Sequence, residues 1–134
     1  MKILALDYGS ARTGVAVSDP TATLARPLGV VERAGSEAGL ARVAALAREE
    51  GAERIVVGLP VTLRGERGAQ AAETERFVAA LETATSIPVE TWDERFTTRL
   101  AAVSLAEGAR AEEDALAAAH LLTAYLEWLS ATRT

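Results

Sequence analysis

Cysteine is missing from the 134 residues, so the chain can make neither disulfides nor thiolate metal sites. Lysine is nearly missing: Lys2 stands alone and every other basic residue is arginine. No apolar run approaches the ~18 residues of a membrane span. The N-terminus has no charged region followed by an apolar core and cleavage site, because Asp7 interrupts it early. A cytoplasmic protein without membrane association is expected. The net charge of -5 argues against a broadly basic surface, but it leaves room for a local arginine cluster or a metal held by carboxylates. With 49% apolar and 25% charged residues, the composition is that of a soluble globular chain, and its length predicts one domain over residues 1–134.

The chain is organised around its first nineteen residues. Ile3, Leu4, Ala5 and Leu6 form an unbroken apolar run, which suits a central strand covered on both faces. That run exits into a carboxylate, Asp7. Residues 8–14, with Gly9 and Gly14 among small polar side chains, read as the connection to an antiparallel return strand at 15–19. Alone, Asp7 beside a glycine turn could be turn chemistry and nothing more.

Residues 24–33 predict a third strand, and Pro27 assigns it to a sheet edge because proline cannot donate to a ladder. Ser36 is a plausible N-cap for a helix with the stripe Leu40, Val43, Leu46 and Ala47, stopped by Gly51. Residues 55–59 make a second buried strand after that helix. The polar, glycine-flanked stretch 61–68 reads as a loop, and a helix follows over 69–84 anchored by Phe77, Val78 and Leu81. A fifth strand at 87–92 again exits into acids, Asp93 and Glu94. A short helix is expected from Thr97 or Thr98 to Glu107, and a last one over 111–130 with Ala118, Leu121, Leu122, Tyr125 and Leu129 facing inward.

The order β-β-β-α-β-α-β-α-α predicts an α/β fold with a mixed five-stranded sheet. Strands one to three are antiparallel, strands four and five run parallel to strand one, and helices pack on the sheet. In such sheets sites gather beyond the carboxyl ends of the strands. Three segments would deliver acids there: Asp7, the Asp93/Glu94 pair, and Asp114, which helical periodicity places on the inward face of the last helix. Each has an ordinary explanation when taken singly. Asp114 sits with Glu112 and Glu113 where the helix dipole favours acids, Asp93 can cap the next segment, and Glu94 can pair with Arg95 or Arg99. Together they repel one another unless a cation lies between them, and hard oxygen donors suit Mg²⁺ or Mn²⁺. Two such ions would clamp the attacking and leaving oxygens of a phosphodiester displacement.

Four blocks carry a family resemblance: LDYGSARTGVAVSD at 6–19, IVVGLPVTLRGERGAQA at 55–71, PVETWDERFTT at 88–98 and EDALAAAHLL at 113–122. The chain resembles the YqgF family, also called RuvX, proteins similar to Holliday junction resolvases and assigned to pre-16S rRNA processing. The resemblance implies an RNase H-like fold and a metal-dependent endonuclease acting on structured nucleic acid, the 5′ end of the pre-16S rRNA or branched DNA. It carries the catalytic and metal-binding acids onto Asp7, Asp93, Glu94 and Asp114. Which of Asp93 and Glu94 is the ligand stays open.

Arg12, Arg64, Arg67, Arg95 and Arg99 fall near the same sheet end and are candidates for gripping phosphates. With two each of Trp, Tyr and Phe, base stacking has few rings to draw on, Tyr8 and Phe96 being the best placed. Expected partners are an rRNA precursor or branched DNA, with the ribosome or assembly factors, acting as monomer or homodimer. Two rivals compete. A non-catalytic RNA-binding assembly factor would keep the fold without cutting. A nucleotide-binding ATPase fragment would use Asp7-Tyr8-Gly9-Ser10 as the phosphate hairpin of actin-like kinases.

Overall fold

The computed structural model describes residues 1–60, 68–94 and 110–132. Five strands form one sheet: β1 Ile3–Asp7, β2 Arg12–Ser18, β3 Ala25–Glu32, β4 Arg54–Leu59 and β5 Val89–Asp93, in the order β3-β2-β1-β4-β5. β1 pairs antiparallel with β2 and parallel with β4, β2 pairs antiparallel with β3, and β4 parallel with β5. This is the expected mixed sheet. The described helices are α1 Glu37–Glu49, α2 Ala69–Ala84 and α3 Arg110–Thr132. The short helix expected between 97 and 107 lies outside the described residues.

Alternation along the strands divides the interior into two layers. Leu4, Leu6, Val15, Val17, Ile55 and Val57 face α1 and α2, where Val43, Ala47, Phe77 and Leu81 close the core. Ile3, Ala5, Ala16, Val56 and Trp92 face α3, meeting Ala118, Leu121, Leu122 and Tyr125. β1 lies at the centre, and Ile3 to Leu6 are fully buried. Its unbroken apolar run follows from being covered on both sides.

The local signals act as expected. Ser36 Oγ accepts a hydrogen bond from the Gly39 N–H at 3.0 Å, capping α1. At the other end Gly51 adopts φ +71°, and the Gly51 and Ala52 N–H groups bond back to the Arg48 and Ala47 carbonyls, a Schellman closure. β3 is the edge strand, with Pro27 opposite Ala16 and a register shift that leaves Leu28 as the extra residue. One local reading changes. Gly14 is not a turn residue, since β2 begins at Arg12 and Gly14 pairs with Asp7 inside the ladder.

Candidate active site

Asp7 is the last residue of the central strand, on the face shared by Ile3 and Ala5, and therefore on the α3 side. It is flanked by two glycines. Gly14 on β2 is its cross-strand partner. Gly58 on β4 comes one residue after the Leu6–Val57 pair. Both glycines belong to the same face as Asp7, by alternation from Ala16 and Val56.

Each glycine makes room for something specific. A Cβ at Gly14 would stand 1.9 Å from the Asp114 carbonyl oxygen and 3.2 Å from the Ala115 nitrogen. The backbone of α3 thus rests directly on β2, bringing Asp114 to the strand beside Asp7. A Cβ at Gly58 would stand 2.2 Å from Leu121 Cδ1 and 2.7 Å from Glu94 Oε1. The Glu94 carboxyl group therefore lies over β4, on the α3 face. A side chain on either glycine would push the acids apart, and an isolated glycine in a strand pattern is the sequence signal of such close approach.

The same geometry separates Asp93 from Glu94. Trp92 faces α3, so its successor Asp93, in register with Leu59, turns toward the other layer. Glu94 returns to the α3 face above Gly58. Three of the four candidate acids (Asp7, Glu94 and Asp114) share one face at one sheet end, and Asp93 does not join them. Among the described residues no three His, Cys, Asp or Glu side chains are gathered closely enough to hold a metal ion.

Asp114 has an unusual setting. α3 starts at Arg110, which puts Asp114 past the first turn, where the helix dipole no longer accounts for an acid. Its side chain is 32% exposed, and among the described residues its Oδ2 accepts no hydrogen bond. What it does have is charge contact, since Arg12 Nε stands 2.9 Å away. Both side chains are partly exposed, so this is a partly solvated ion pair. The donor type, carboxylate oxygens from separate segments, is one a hard divalent ion takes.

Of the phosphate-gripping candidates, Arg12 is on the acid face and engaged with Asp114. Arg64, Arg67, Arg95 and Arg99 lie outside the described residues, as does Phe96. Tyr8 follows Asp7 and so belongs to the opposite layer. Its ring stacks on Phe77 at a centroid distance of 4.5 Å and an interplanar angle of 23°. Burial, and then the charge of Glu73, push its hydroxyl pKa up.

Glu73 was not singled out by the sequence. Its Oε2 accepts a hydrogen bond from Ser10 Oγ at 2.6 Å, tying the tip of the β1–β2 turn to α2. No sequence pattern announces a contact across 63 positions. Asp19 proves to be turn chemistry: its Oδ1 accepts from the Thr23 and Leu24 N–H groups at 2.8 and 2.9 Å, and Thr21 Oγ1 donates to Oδ2.

Comparison with known proteins bears on the family and the fold. The family model for RuvX, described as Holliday junction resolvase, matches residues 1–128. A relative from Rubrobacter xylanophilus is 46% identical over 131 residues, covering 94% of this chain and 92% of its own. One from Chloroflexus aurantiacus is 43% identical over 131 residues, covering 93% and 86%. Both carry the name "Putative pre-16S rRNA nuclease". Among solved structures, Thermus thermophilus RuvC in complex with a Holliday junction substrate superposes with a TM-score of 0.60, covering 97% of each chain at 19% identity. At that identity the likeness speaks for the fold, an RNase H-like one. Among the described residues no helix is long and apolar enough to cross a membrane.

Proposed function

Because the chain belongs to the RuvX family of Holliday junction resolvases, we propose that it is a nuclease that hydrolyses phosphodiester bonds in structured nucleic acid at the open end of the α3 face. The observation that carries this is the placement of Asp7 between Gly14 and Gly58, with Asp114 admitted over one glycine and Glu94 over the other. The favoured substrate is the 5′ region of a pre-16S rRNA, in keeping with the relatives' name. Branched DNA is the comparison substrate.

Asp7, Glu94 and Asp114 are the side chains that would hold Mg²⁺ or Mn²⁺, one ion or a pair. Such a cation, when bound, supplies charge neutralisation at the phosphate and a more acidic attacking water. The residues themselves do three things. The carboxylates concentrate negative charge where a cation is needed, and the β1 terminus fixes Asp7 at the bottom of the site. Arg12, on the acid face, orients the sugar-phosphate backbone, a role the sequence reading also gives to Arg64, Arg67, Arg95 and Arg99, which lie outside the described residues. Asp93, turned by strand alternation to the other layer, is left out of this set.

Cleavage of a pre-16S rRNA fragment and of a four-way junction, with Mn²⁺, Mg²⁺ or chelator, tests the proposal. Asp7→Asn and Asp114→Asn should each lower cutting by about a hundred-fold or more, the loss of several kcal/mol of charge stabilisation. Glu94→Gln should do the same while Asp93→Asn cuts nearly as wild type. Cutting that survives Asp7→Asn and Asp114→Asn would remove the site. A second reading, an assembly factor that binds RNA without cutting, is favoured by the wide spacing of the described acids. It predicts RNA binding by wild type and Asp7→Asn alike, with no cleavage under any metal.

A further inference from the structure

The connection that leaves Asp7 is gripped from one side by α2. β1 ends at Asp7 and β2 begins at Arg12, so residues 8–11 form the turn between them. The turn is tight: a Cβ on Gly9 would stand 2.4 Å from the Arg12 carbonyl oxygen. Its near arm and its tip reach one face of α2, where Glu73 and Phe77 are four residues apart and so lie one above the other. On the near arm the Tyr8 ring stacks on Phe77 at 4.5 Å. Burial, then the charge of Glu73 and a hydrogen bond to it, hold the Tyr8 hydroxyl pKa up, which puts that hydroxyl beside the carboxylate. At the tip Ser10 Oγ donates to Glu73 Oε2 at 2.6 Å. One carboxylate thus meets the residues on both sides of Gly9, and an ionised carboxylate has acceptor sites for both hydroxyls.

We infer that Glu73 is a positioning residue for Asp7: it holds the β1–β2 turn against α2 and so fixes where the end of β1 presents its carboxylate. This rests on the reading of Asp7 as a residue of the nuclease site. The inner part of the strand needs no such help, since Leu4 to Leu6 are fully buried and paired with a strand on each side. Asp7 is the last residue of β1 and half-buried, so the placement of its backbone depends on what holds the residues that follow. A hydrogen bond at the surface adds little to folding, whereas a small displacement of a reacting group is costly in rate. The far end of the turn has its own tie, the Arg33 N–H donating to the Ala11 carbonyl at 3.0 Å. Truncating Glu73 therefore loosens the turn without unpairing the hairpin.

Steady-state cleavage of a pre-16S rRNA fragment, together with amide hydrogen exchange, tests this on wild type, Glu73→Ala, Glu73→Gln, Ser10→Ala and the double variant Ser10→Ala/Glu73→Ala. Glu82→Ala, which removes an exposed acid from the same helix, controls for lost charge. Glu73→Ala should lower kcat roughly ten-fold with KM near wild type, as a displaced reacting group would. Its amides at residues 8–11 should exchange faster, with those of Leu4 to Leu6 unchanged. Glu73→Gln should keep most of the rate, because its amide oxygen still accepts from Ser10. The double variant should lose no more than Glu73→Ala alone. A wild-type kcat in Glu73→Ala, with or without a raised KM, overturns the positioning role and leaves the nuclease reading standing. So does unchanged exchange in the turn, or an equal loss of rate in Glu82→Ala. If wild type itself cuts nothing with Mg²⁺ or Mn²⁺, the nuclease reading falls and the positioning role falls with it.

Discussion

The two faces of the sheet are built from the same strands and do opposite things. Toward α1 and α2 a continuous apolar core runs from Ile55 and Leu4 through Leu6 and Val57 to Phe77. Toward α3 the apolar packing is joined by an aromatic cluster of Trp92, Tyr125 and Trp128, with ring centroids 5.5–5.8 Å apart. Beyond Ala5 on the central strand it gives way to two glycines and three acids. One residue step along β1 separates Leu6, sealed in one core, from Asp7, half-buried on the other face. One face is given over to packing, while the other leaves room beside the end of β1 for carboxylates.

The sharpest way to break this contrast is at the glycines. Gly14→Val would drive a side chain into the Asp114 carbonyl and lever α3 from the sheet. We expect a loss of about 3 kcal/mol or more, read as a lower urea midpoint. Gly29→Ala on the edge strand β3, where nothing lies within 4 Å of the new methyl, should leave the midpoint nearly unchanged. Equal costs at the two positions would deny that α3 rests on Gly14.

Leucine truncation distinguishes packing from site support. Leu81→Ala and Leu121→Ala remove fully buried side chains on opposite faces, each costing about 2–5 kcal/mol. Only Leu121 reaches the space over Gly58 that Glu94 shares. Loss of cleavage at a temperature where both variants are folded should therefore follow Leu121→Ala and not Leu81→Ala. Similar activity in the two would show that the acidic end is indifferent to its packing.

A smaller effect lies at high pH on the α3 face. Burial, then a hydrogen bond to Glu90, push the Tyr125 hydroxyl pKa up to about 12. The phenol also accepts from Arg54 Nη1 at 2.6 Å. A group held above its unfolded value of 10.0 contributes stability that is whole below pH 10 and is lost as pH rises through 12. The melting temperature should fall more steeply over that window in wild type than in Tyr125→Phe. Parallel curves would remove Tyr125 as the alkaline titrant. Smallest of all, Ser36→Ala on the opposite side should cost about 1 kcal/mol through loss of the α1 cap, without altering cleavage.

Much of the fold was legible because its signals are local. The apolar run of β1, the Ser36 cap, the Gly51 stop and the edge proline each act through neighbours a few residues away. Periodicity extended that reading to α3 and put Asp114 on its inward stripe beside Ala118 and Leu121. The candidate acids were legible as residue types at strand exits, and the family resemblance at 6–19 and 113–122 agreed with them. Glu94 over Asp93, the inward role of Gly14, the hold of Glu73 on Ser10 and the meeting of Arg12 with Asp114 were not.

Sequence alone therefore determined the described elements, the directions of their strands and the set of acids available to a site. Tertiary structure decided which acids share a face and which arginine meets Asp114. The reason is physical. Capping, turn chemistry and periodicity depend on spacing along the chain, whereas the side of a sheet reached by a residue just past a strand depends on what packs above it. Arg12 and Asp114 are separated by most of the chain, and only the approach of α3 to a strand lacking one side chain brings them to 2.9 Å.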